Sequence, residues 1–264
     1  MSGDLTAPPF GGADGPGQAA TVVADFSALA ARYATFRPHY PAALAAALAE
    51  RCTRREVSID LGCGSGQLTI DLAPHFGHVI GVDPSQALLA VAPTRAGVEY
   101  RCTSAEATGL PAASADLVVA AQAAHWFDWP RFVAEVARIA RPGALVALVS
   151  YGVQRLEGDA MQAIDRYRAA IARYWPAGRE HVENGYRDLV LPWPAVESPT
   201  LEMIESWTRA ELVGYVSSWS ATHRLVQRVG PAAFDALVAE LAAIWPDDER
   251  RSVRWPLAIK LARH

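Results

Sequence analysis

A short glycine-rich segment is the part of the chain best suited to hold a ligand. Residues 57–69, VSIDLGCGSGQLT, carry Gly62, Gly64 and Gly66 at alternate positions after an apolar run. Glycine adopts positive φ readily and lets a ligand approach the backbone closely. A dinucleotide loop has the pattern G-x-G-x-x-G, but Gln67 stands where the third glycine would fall. No Gly-Lys-Ser/Thr comes after it to make a phosphate loop of the Walker type. The segment therefore predicts a small-ligand loop of another kind.

An acidic residue ends the next apolar run, HVIGVD. Asp83 lies 21 residues after Gly62. A carboxylate at that place can accept hydrogen bonds from both hydroxyls of an adenosine ribose, a role shared by dinucleotide and adenosyl cofactors. In the alternative interpretation, Asp83 stands before Pro84 only to cap the next helix. The order of the whole pattern favours the ribose contact.

Apolar runs and amphipathic segments alternate between residues 57 and 150. The apolar, β-rich runs predict strands at 57–61, 78–83, 98–102, 116–121 and 144–150. Helical spacing predicts helices at 68–76, 85–92 and 131–140, the last of them stopped by Pro142-Gly143. This alternation predicts a parallel sheet with helices on both faces. Ligands bind such sheets at the carboxyl ends of the strands, which is where the glycines fall.

The pattern changes after residue 150. One helix is predicted at 159–175, a loop at 176–200, helical structure at 208–245 and a final apolar stretch at 252–262. We therefore predict four parts: a flexible N-terminal tail (1–20), an N-terminal helical lid (21–55), a ligand-binding α/β core (56–152), and a cap region plus the final strands of the sheet (153–264).

The composition indicates a globular protein without a nucleic-acid or membrane partner. The net charge is −4, and the 24 Lys and Arg residues are scattered rather than clustered. No apolar run approaches the roughly 20 residues that span a bilayer, and no signal peptide is visible. Cys52, Cys63 and Cys102 lack metal-ligand spacing. We expect a cytoplasmic monomer or homodimer with reduced thiols and no metal site.

Five segments in order carry a resemblance to a known family. They are 59–66 (IDLGCGSG), 81–85 (GVDPS), 104–106 (SAE) with Leu110-Pro111 after it, 122–127 (QAAHWF) and 140–144 (ARPGA). In these segments the chain resembles the class I S-adenosylmethionine (SAM) methyltransferases with a methyltransferase type 11 domain. Within them it is similar to the small-molecule branch that includes trans-aconitate methyltransferase-like proteins. The resemblance implies a Rossmann-like, doubly wound α/β fold with a mostly parallel seven-stranded sheet and a helical cap inserted after strand 5.

The resemblance also implies a SAM site. The glycine loop would approach the methionine part of SAM, Asp83 would hold the ribose, and Ala105 would lend a backbone N–H to the adenine. Gln122 would lie near the reacting methyl group. Tyr33 and Arg37, in a segment similar to the branch's N-terminal lid, would reach the cofactor carboxylate or an acidic substrate. The cofactor-binding residues predicted in this way are Tyr33, Arg37, Asp60, Gly62, Cys63, Gly64, Gly66, Asp83, Ser85, Ser104, Ala105, Glu106 and Gln122.

The chemistry of methyl transfer determines which other groups the site needs. The reaction is an in-line displacement, so that alignment and desolvation can supply most of the catalysis. An ionised carboxylate acceptor needs no base, and an arginine clamp suffices. A phenol or similar hydroxyl would gain about 10²–10⁴-fold from a base. His125 is the candidate catalytic base, with pocket lining or a backbone hydrogen bond as the alternatives. The substrate-binding candidates, each also open to a packing role, are Trp126, Tyr186, Trp219 and His223.

These observations together predict a SAM-dependent methyltransferase acting on oxygen or nitrogen of a small molecule, with a carboxylate or aromatic hydroxyl among the acceptors. One alternative is a non-catalytic SAM-binding protein on the same fold. Another is an NAD-dependent oxidoreductase, which the missing third glycine and segment 104–106 disfavour. The acidic balance disfavours methylation of RNA or protein. Six of the eight tryptophans lie beyond residue 150, which indicates a mainly apolar acceptor pocket.

Overall fold

The computed structural model describes residues 35–264. The predicted tail (1–20), the beginning of the predicted lid and Tyr33 lie outside the described residues. The helices are α1 (Ala43–Glu50), α2 (Gln67–Leu72), α3 (Gln86–Leu89), α4 (Trp129–Ile139), α5 (Asp159–Ala170), α6 (Arg179–Glu183), α7 (Arg209–Ser217), α8 (Ser220–Val229) and α9 (Ala232–Ile244). Short 3₁₀ helices occupy Ala124–Trp126 and Ala172–Tyr174. The strands are β1 (Val57–Leu61), β2 (His78–Asp83), β3 (Val98–Cys102), β4 (Ala115–Ala121), β5 (Ala140–Tyr151), β6 (Ala195–Val196), β7 (Met203–Trp207), β8 (Arg251–Trp255) and β9 (Leu257–Arg263).

Seven strands form one sheet in the order β3-β2-β1-β4-β5-β9-β6. The first five strands of the chain pair in parallel, whereas β9 runs antiparallel to both β5 and β6. Because helices join β1 to β2, β2 to β3 and β4 to β5, apolar runs alternate with amphipathic segments in the sequence, whereas β3 and β4 are joined without a helix. The predicted doubly wound, mostly parallel seven-stranded fold is confirmed.

The order in which successive strands are added to the sheet reverses between β1 and β4. β2 and β3 lie on one side of β1, and β4 and β5 lie on the other, with Asp60 opposite Val119 where β1 and β4 pair. Open parallel sheets bind ligands at such a switch point, because the loops on its two sides leave in opposite directions and open a crevice. Gly62 comes directly after β1 and Gln122 directly after β4, so the topology places the glycine loop beside Gln122.

Alternate strand residues pack two hydrophobic cores, one on each face of the sheet. Leu117 and Val119 of β4 face α1, α2 and the cap, whereas Val118 between them faces α4. All three side chains are buried. Burying an aliphatic side chain of this size stabilises the fold by about 1.5–3 kcal/mol. The two cores therefore fix the strands that carry the loops of the switch point.

The cap, inserted between β5 and β9, contains more than helices. Helices α7, α8 and α9 fill the region 208–245, as the sequence pattern predicts, but β7 and β8 add a two-stranded antiparallel ribbon that it does not predict. Trp207, Trp245 and Trp255 are buried in the core of the cap. No helix between residues 35 and 264 is both long and apolar enough to cross a bilayer.

Prolines account for the main differences from the predicted element bounds. The helix predicted over 68–76 ends at Leu72, because Pro74 has no N–H to continue the ladder. The stretch 252–262 is divided at Pro256 into β8 and β9, which belong to different sheets.

Two further bounds also differ. Strand β5 begins at Ala140 rather than at residue 144, because Pro142-Gly143 forms an irregularity within the strand instead of a loop before it. The helix predicted over 159–175 ends at Ala170. The next residue, Ile171, is fully buried in the core, and a 3₁₀ helix follows at Ala172–Tyr174.

Candidate active site

The glycine loop turns tightly at the end of β1. The Val82 carbonyl in β2 accepts hydrogen bonds from the N–H groups of Gly62 (2.8 Å) and Cys63 (3.0 Å). All three loop glycines have positive φ, of 72°, 56° and 77° in chain order. A Cβ on Gly62 would lie only 2.5 Å from the Cβ of Ala123, because the loops after β1 and β4 touch there. A side chain at position 62 would therefore force the loops after β1 and β4 apart.

A cavity of about 440 Å³, part of it open to solvent, lies beside this loop. We call it the loop cavity. Its lining comprises Arg37, Tyr40, Asp60, Gly62, Cys63, Ser65, Gln67, Leu68, Ala121, Gln122 and Tyr151. The Gln67 side-chain nitrogen is buried and has no hydrogen-bond partner among the described residues. A buried amide donor without a partner is costly, so this cavity fits a ligand that presents an acceptor to Gln67.

Two carboxylates with different surroundings belong to this region. Burial raises the pKa of Asp60 to about 7, although the Thr69 hydroxyl donates a 2.6 Å hydrogen bond that favours the ionised form. Asp83 is 8% exposed. Burial also raises the pKa of Asp83, while hydrogen bonds from the N–H groups of Ser85 and Gly64 oppose that rise. Both groups therefore favour a cationic or hydroxyl-bearing ligand that would compensate their desolvation.

Asp83 braces the glycine loop and does not cap a helix. Its two carboxylate oxygens accept the backbone N–H groups of Gly64 (2.9 Å) and Ser85 (2.8 Å). The cap of α3 is Ser85, whose hydroxyl accepts from Leu88 N–H at 3.4 Å. The cap interpretation of Asp83 is therefore wrong. Each carboxylate oxygen retains a lone pair for a further donor.

Among the described residues, the predicted cofactor residues that do not line this cavity are Gly64, Gly66, Asp83, Ser85, Ser104, Ala105 and Glu106. Ala105 is buried, Ser104 is partly buried, and neither lines the loop cavity. The Glu106 carboxylate accepts the N–H of Asp128 at 3.0 Å, which ties it to the start of α4. Cys63 does line the cavity, and burial raises the pKa of its thiol well above the ordinary value, so it stays neutral.

A second cavity of about 540 Å³, also partly open, adjoins the first. We call it the aromatic cavity. Its lining comprises Arg37, Gln122, His125, Trp126, Tyr151, Gly152, Trp175, Pro176, Arg179, Tyr215, Trp219 and Ser220. Arg37, Gln122 and Tyr151 line both cavities, and we call these three residues the seam. The cap therefore closes a second compartment directly against the first.

The seam is held rigidly. Gln122 has φ of +55°, a conformation that a non-glycine residue adopts at a cost of about 1–3 kcal/mol. Its side-chain amide donates to the Tyr151 carbonyl (3.2 Å) and accepts from the Tyr151 N–H (2.9 Å). The Arg37 guanidinium donates to the Tyr151 hydroxyl (3.2 Å) and to the Ser218 carbonyl (3.3 Å). These bonds link the end of β4, the end of β5 and the cap at one place.

His125 is neutral at physiological pH. Its Nδ1 is 2.9 Å from the Tyr186 hydroxyl, in a hydrogen bond whose direction depends on the tautomer. Burial lowers the pKa of His125 to about 3, and Coulombic interactions with Arg179, His181 and Arg37 act in the same direction. An imidazole in this state is a weak base. It can still orient an acceptor by a hydrogen bond.

The predicted substrate residues divide into two groups. Trp126 and Trp219 line the aromatic cavity. Tyr186 is buried behind His125 with φ of +59° and reaches the cavity only through that histidine. The ring of His223 does not line the cavity, and its Nε2 is buried without a partner among the described residues.

Several lining residues escape the sequence prediction. Gln67 is visible there only as a departure from the dinucleotide pattern, and Tyr151 only as the end of an apolar run. Trp175 and Arg179 lie at and just beyond the end of a predicted helix, and no local pattern indicates that they line a site. Across residues 35–264, no group of three or more His, Cys, Asp or Glu side chains is arranged to hold a metal ion.

Comparison with known proteins gives consistent results. A family profile with the description Methyltransferase domain matches residues 59–148. A Dictyostelium discoideum protein assigned to the methyltransferases is 34% identical over 200 residues, which are 74% of this chain and 76% of that protein. A solved structure from Anaeromyxobacter dehalogenans, assigned to the type II methyltransferases, is 43% identical with a TM-score of 0.79, covering 86% of this chain and 98% of its own.

A third relative carries the cofactor in its name. A Saccharomyces cerevisiae protein assigned to the S-adenosylmethionine-dependent methyltransferases is 33% identical over 131 residues, 46% of this chain and 45% of that protein. These matches exclude the NAD-dependent alternative, while the narrower resemblance to the trans-aconitate branch stays a prediction. The chain belongs to the methyltransferase family and is an enzyme whose methyl donor is S-adenosylmethionine.

Proposed function

We propose that the protein transfers the methyl group of SAM to an oxygen of a small molecule, and that this oxygen belongs to a carboxylate. The seam is the observation that carries the proposal. Arg37, Gln122 and Tyr151 line the loop cavity and the aromatic cavity at once. A donor on one side and an acceptor on the other would meet there, with the Arg37 guanidinium beside the reacting oxygen.

The residues of the loop cavity fit the donor, together with Asp83, which lies outside the cavity lining and contacts the glycine loop through Gly64. When bound, SAM supplies an electrophilic methyl group on a positively charged sulfur. We expect Asp83 to hold the ribose hydroxyls, because its two oxygens are already oriented by backbone N–H groups. Gln67 would donate its buried amide hydrogen to the cofactor. Asp60 would complement the positive charge of the donor from the floor of the cavity.

The electrostatics of the aromatic cavity favour an anionic acceptor. Arg37 and Arg179 both line it, and both lower the pKa of His125. Within residues 35–264 its lining contains no carboxylate. A protonated amine would be repelled there, whereas a carboxylate would gain charge-assisted hydrogen bonds. The proposal therefore favours oxygen over nitrogen.

A carboxylate also suits the state of His125. An ionised acceptor gives up no proton, so the reaction needs no base, and a histidine with a pKa near 3 is not required to act as one. The chain would then contribute alignment by Arg37 and exclusion of water by the cap. These are the effects that serve a displacement reaction most.

An aromatic hydroxyl is the second candidate, and one contact favours it. In the tautomer in which His125 Nδ1–H donates to the Tyr186 hydroxyl, Nε2 is the ring nitrogen that can take a proton. A bound phenolate would stabilise the imidazolium and raise its pKa. The two candidates differ in their products, because a methyl ester is cleaved by mild alkali and an aryl methyl ether is not.

The test is methyl transfer from tritiated SAM to a panel of small carboxylic acids and phenols, with each product treated with alkali. We expect label in alkali-labile esters. Replacement of Arg37 by Met should lower kcat/KM roughly 10–150-fold, since a hydrogen bond to a charged group is worth about 1.5–3 kcal/mol. Arg166→Met, an exposed arginine on α5 paired with Glu240, is the matched control and should be unchanged.

The same experiment can contradict the proposal in two ways. Alkali-stable products alone would identify the aromatic hydroxyl as the acceptor and favour His125 as its base. Binding of S-adenosylhomocysteine without transfer to any acid or phenol would contradict both candidate acceptors.

A further inference from the structure

Three tryptophans converge on the aromatic cavity from separate parts of the chain. Trp126 ends the 3₁₀ helix after β4, Trp175 comes directly after the 3₁₀ helix that succeeds α5, and Trp219 immediately precedes α8. All three line the cavity, and we call them the tryptophan wall. The ring centroids of Trp175 and Trp219 are 5.5 Å apart, and Trp126 packs against the His125 imidazole at 4.7 Å.

The wall is not merely part of the cap's own core. Trp207, Trp245 and Trp255 fill that core and are at most 7% exposed. Trp219 is 4% exposed and belongs to the same core, whereas Trp126 and Trp175 are only partly buried although their rings are as large. Leaving an indole face beside an open cavity forgoes the free energy gained by removing apolar surface from water. A ligand that covers these faces would recover that free energy.

The wall is also fixed before any ligand arrives. The Arg179 guanidinium lies 4.5 Å from the centre of the Trp175 ring, and the Glu183 carboxylate pairs with it at 3.3 Å. Tyr215 meets the Trp219 ring edge-on, with centroids 5.5 Å apart. Side chains locked in this way lose little entropy on binding, so a flat ring can be held without rearrangement.

Positive charge lies at one end of this surface. Arg37 belongs to the seam and stands over the Tyr215 ring at 5.7 Å, so it faces the same compartment as the wall. The cavity thus offers aromatic faces on its side toward the cap and a guanidinium on its side toward the loop cavity.

We infer that the acceptor is an aromatic carboxylic acid, with its ring against the tryptophan wall and its carboxylate at Arg37. This inference rests on the proposed function and narrows it. A saturated acid of the same length would bury at least as much apolar area but would lack the quadrupole that favours contact with indole rings. An aromatic acid should therefore bind about three- to tenfold more tightly than its saturated counterpart.

The test is calorimetric titration of the full chain, saturated with S-adenosylhomocysteine, with three matched probes. They are 3-phenylpropanoate, 3-cyclohexylpropanoate and 3-phenylpropanamide. We expect the phenyl acid to bind at least about threefold more tightly than the cyclohexyl acid and at least about tenfold more tightly than the amide. In Trp175→Leu the ratio between the two acids should fall below about twofold, whereas Trp193→Leu, outside the cavity, should leave it unchanged.

The outcomes separate this inference from the proposed function. Equal or tighter binding of the cyclohexyl acid would overturn the aromatic preference and leave the carboxylate proposal intact. Equal binding of the phenyl acid and its amide would contradict the carboxylate proposal and leave the aromatic wall. Failure of all three probes to bind would overturn the inference, provided that S-adenosylhomocysteine binding shows the protein to be folded. Trp175→Phe guards against misfolding, because it should retain the preference for the phenyl acid.

Discussion

Asp83 has two duties at the end of β2. Its oxygens accept hydrogen bonds from Gly64 and Ser85, and so fix the glycine loop to the start of α3. The same carboxylate is our candidate for the ribose contact. Removing a side chain that both shapes a loop and binds the ligand should lower the free energy of unfolding and the affinity for the ligand. The sizes of these two losses can be compared.

Replacing Asp83 by Ala should weaken binding of S-adenosylhomocysteine roughly 10–150-fold, because the hydrogen bonds of a charged group are lost. Calorimetry would measure the affinity, and urea unfolding would measure the cost to the loop. Asp165→Ala, an exposed carboxylate on α5, is the control and should change neither quantity. Lowered stability with unchanged affinity would leave Asp83 as a brace of the loop only.

At the scale of elements, the part of the fold that could be predicted from the sequence depends on local pattern. β1, β2 and β3 have the predicted bounds, because each is a short β-rich run that ends at glycine, proline or a polar residue. The glycine loop and Gln122 could be placed because the end of a strand fixes the position of the loop attached to it. Trp175 and Arg179 could not, since only the packing of the cap brings their segment to the sheet. Proline positions changed the lengths of elements without changing their order.

The contact that seats this segment is unusually close. Gly178 precedes α6 with φ of +86°, and a Cβ there would lie 2.6 Å from the His125 carbonyl oxygen. Any side chain at 178 must therefore push α6 away from the turn after β4. Trp175, Pro176 and Arg179 would move with it.

We expect Gly178→Ala to destabilise the fold more than Gly143→Ala does. Gly143 has φ of +82°, so alanine is strained there too, but nothing among the described residues lies within 4 Å of its Cβ position. Backbone strain should cost about 1–3 kcal/mol at each site, and the clash should add about another 1–3 kcal/mol at Gly178. Urea unfolding of the two variants measures the difference. Equal losses would mean that α6 is not held by this contact.

At the scale of the whole molecule, two buried carboxylates make the free energy of unfolding depend on pH with opposite signs. The pKa of Asp60 is raised from 3.8 to about 7, chiefly by burial. The pKa of Glu135 is lowered from 4.5 to about 2, first by hydrogen bonds from Arg138 and then by those from Thr108. Between about pH 4 and 7 the folded chain holds more protons on Asp60 than the unfolded chain does. Between about pH 2 and 4.5 the unfolded chain holds more on Glu135.

The contribution of Asp60 to the free energy of unfolding should therefore decrease as pH rises from about 4 to 7. The contribution of Glu135 should decrease as pH drops from about 4.5 to 2. In Asp60→Asn the first dependence disappears, because the amide oxygen can still accept the Thr69 hydrogen bond but carries no charge. Relative to the unchanged protein, that variant should gain on the order of 3–5 kcal/mol between about pH 4 and pH 8.

The matched control is Glu135→Gln, whose deficit should be present at neutral pH and should shrink only below about pH 4.5. Urea unfolding at about pH 3, 4, 6 and 8 measures all three proteins. If the Asp60→Asn curve ran parallel to that of the unchanged protein, Asp60 would be ionised throughout. The positive donor would then meet a charge that is already present in the free enzyme, and binding of SAM would not itself depend on pH near neutrality. If the curves diverge as expected, SAM binding should release a fraction of a proton from Asp60 below about pH 7.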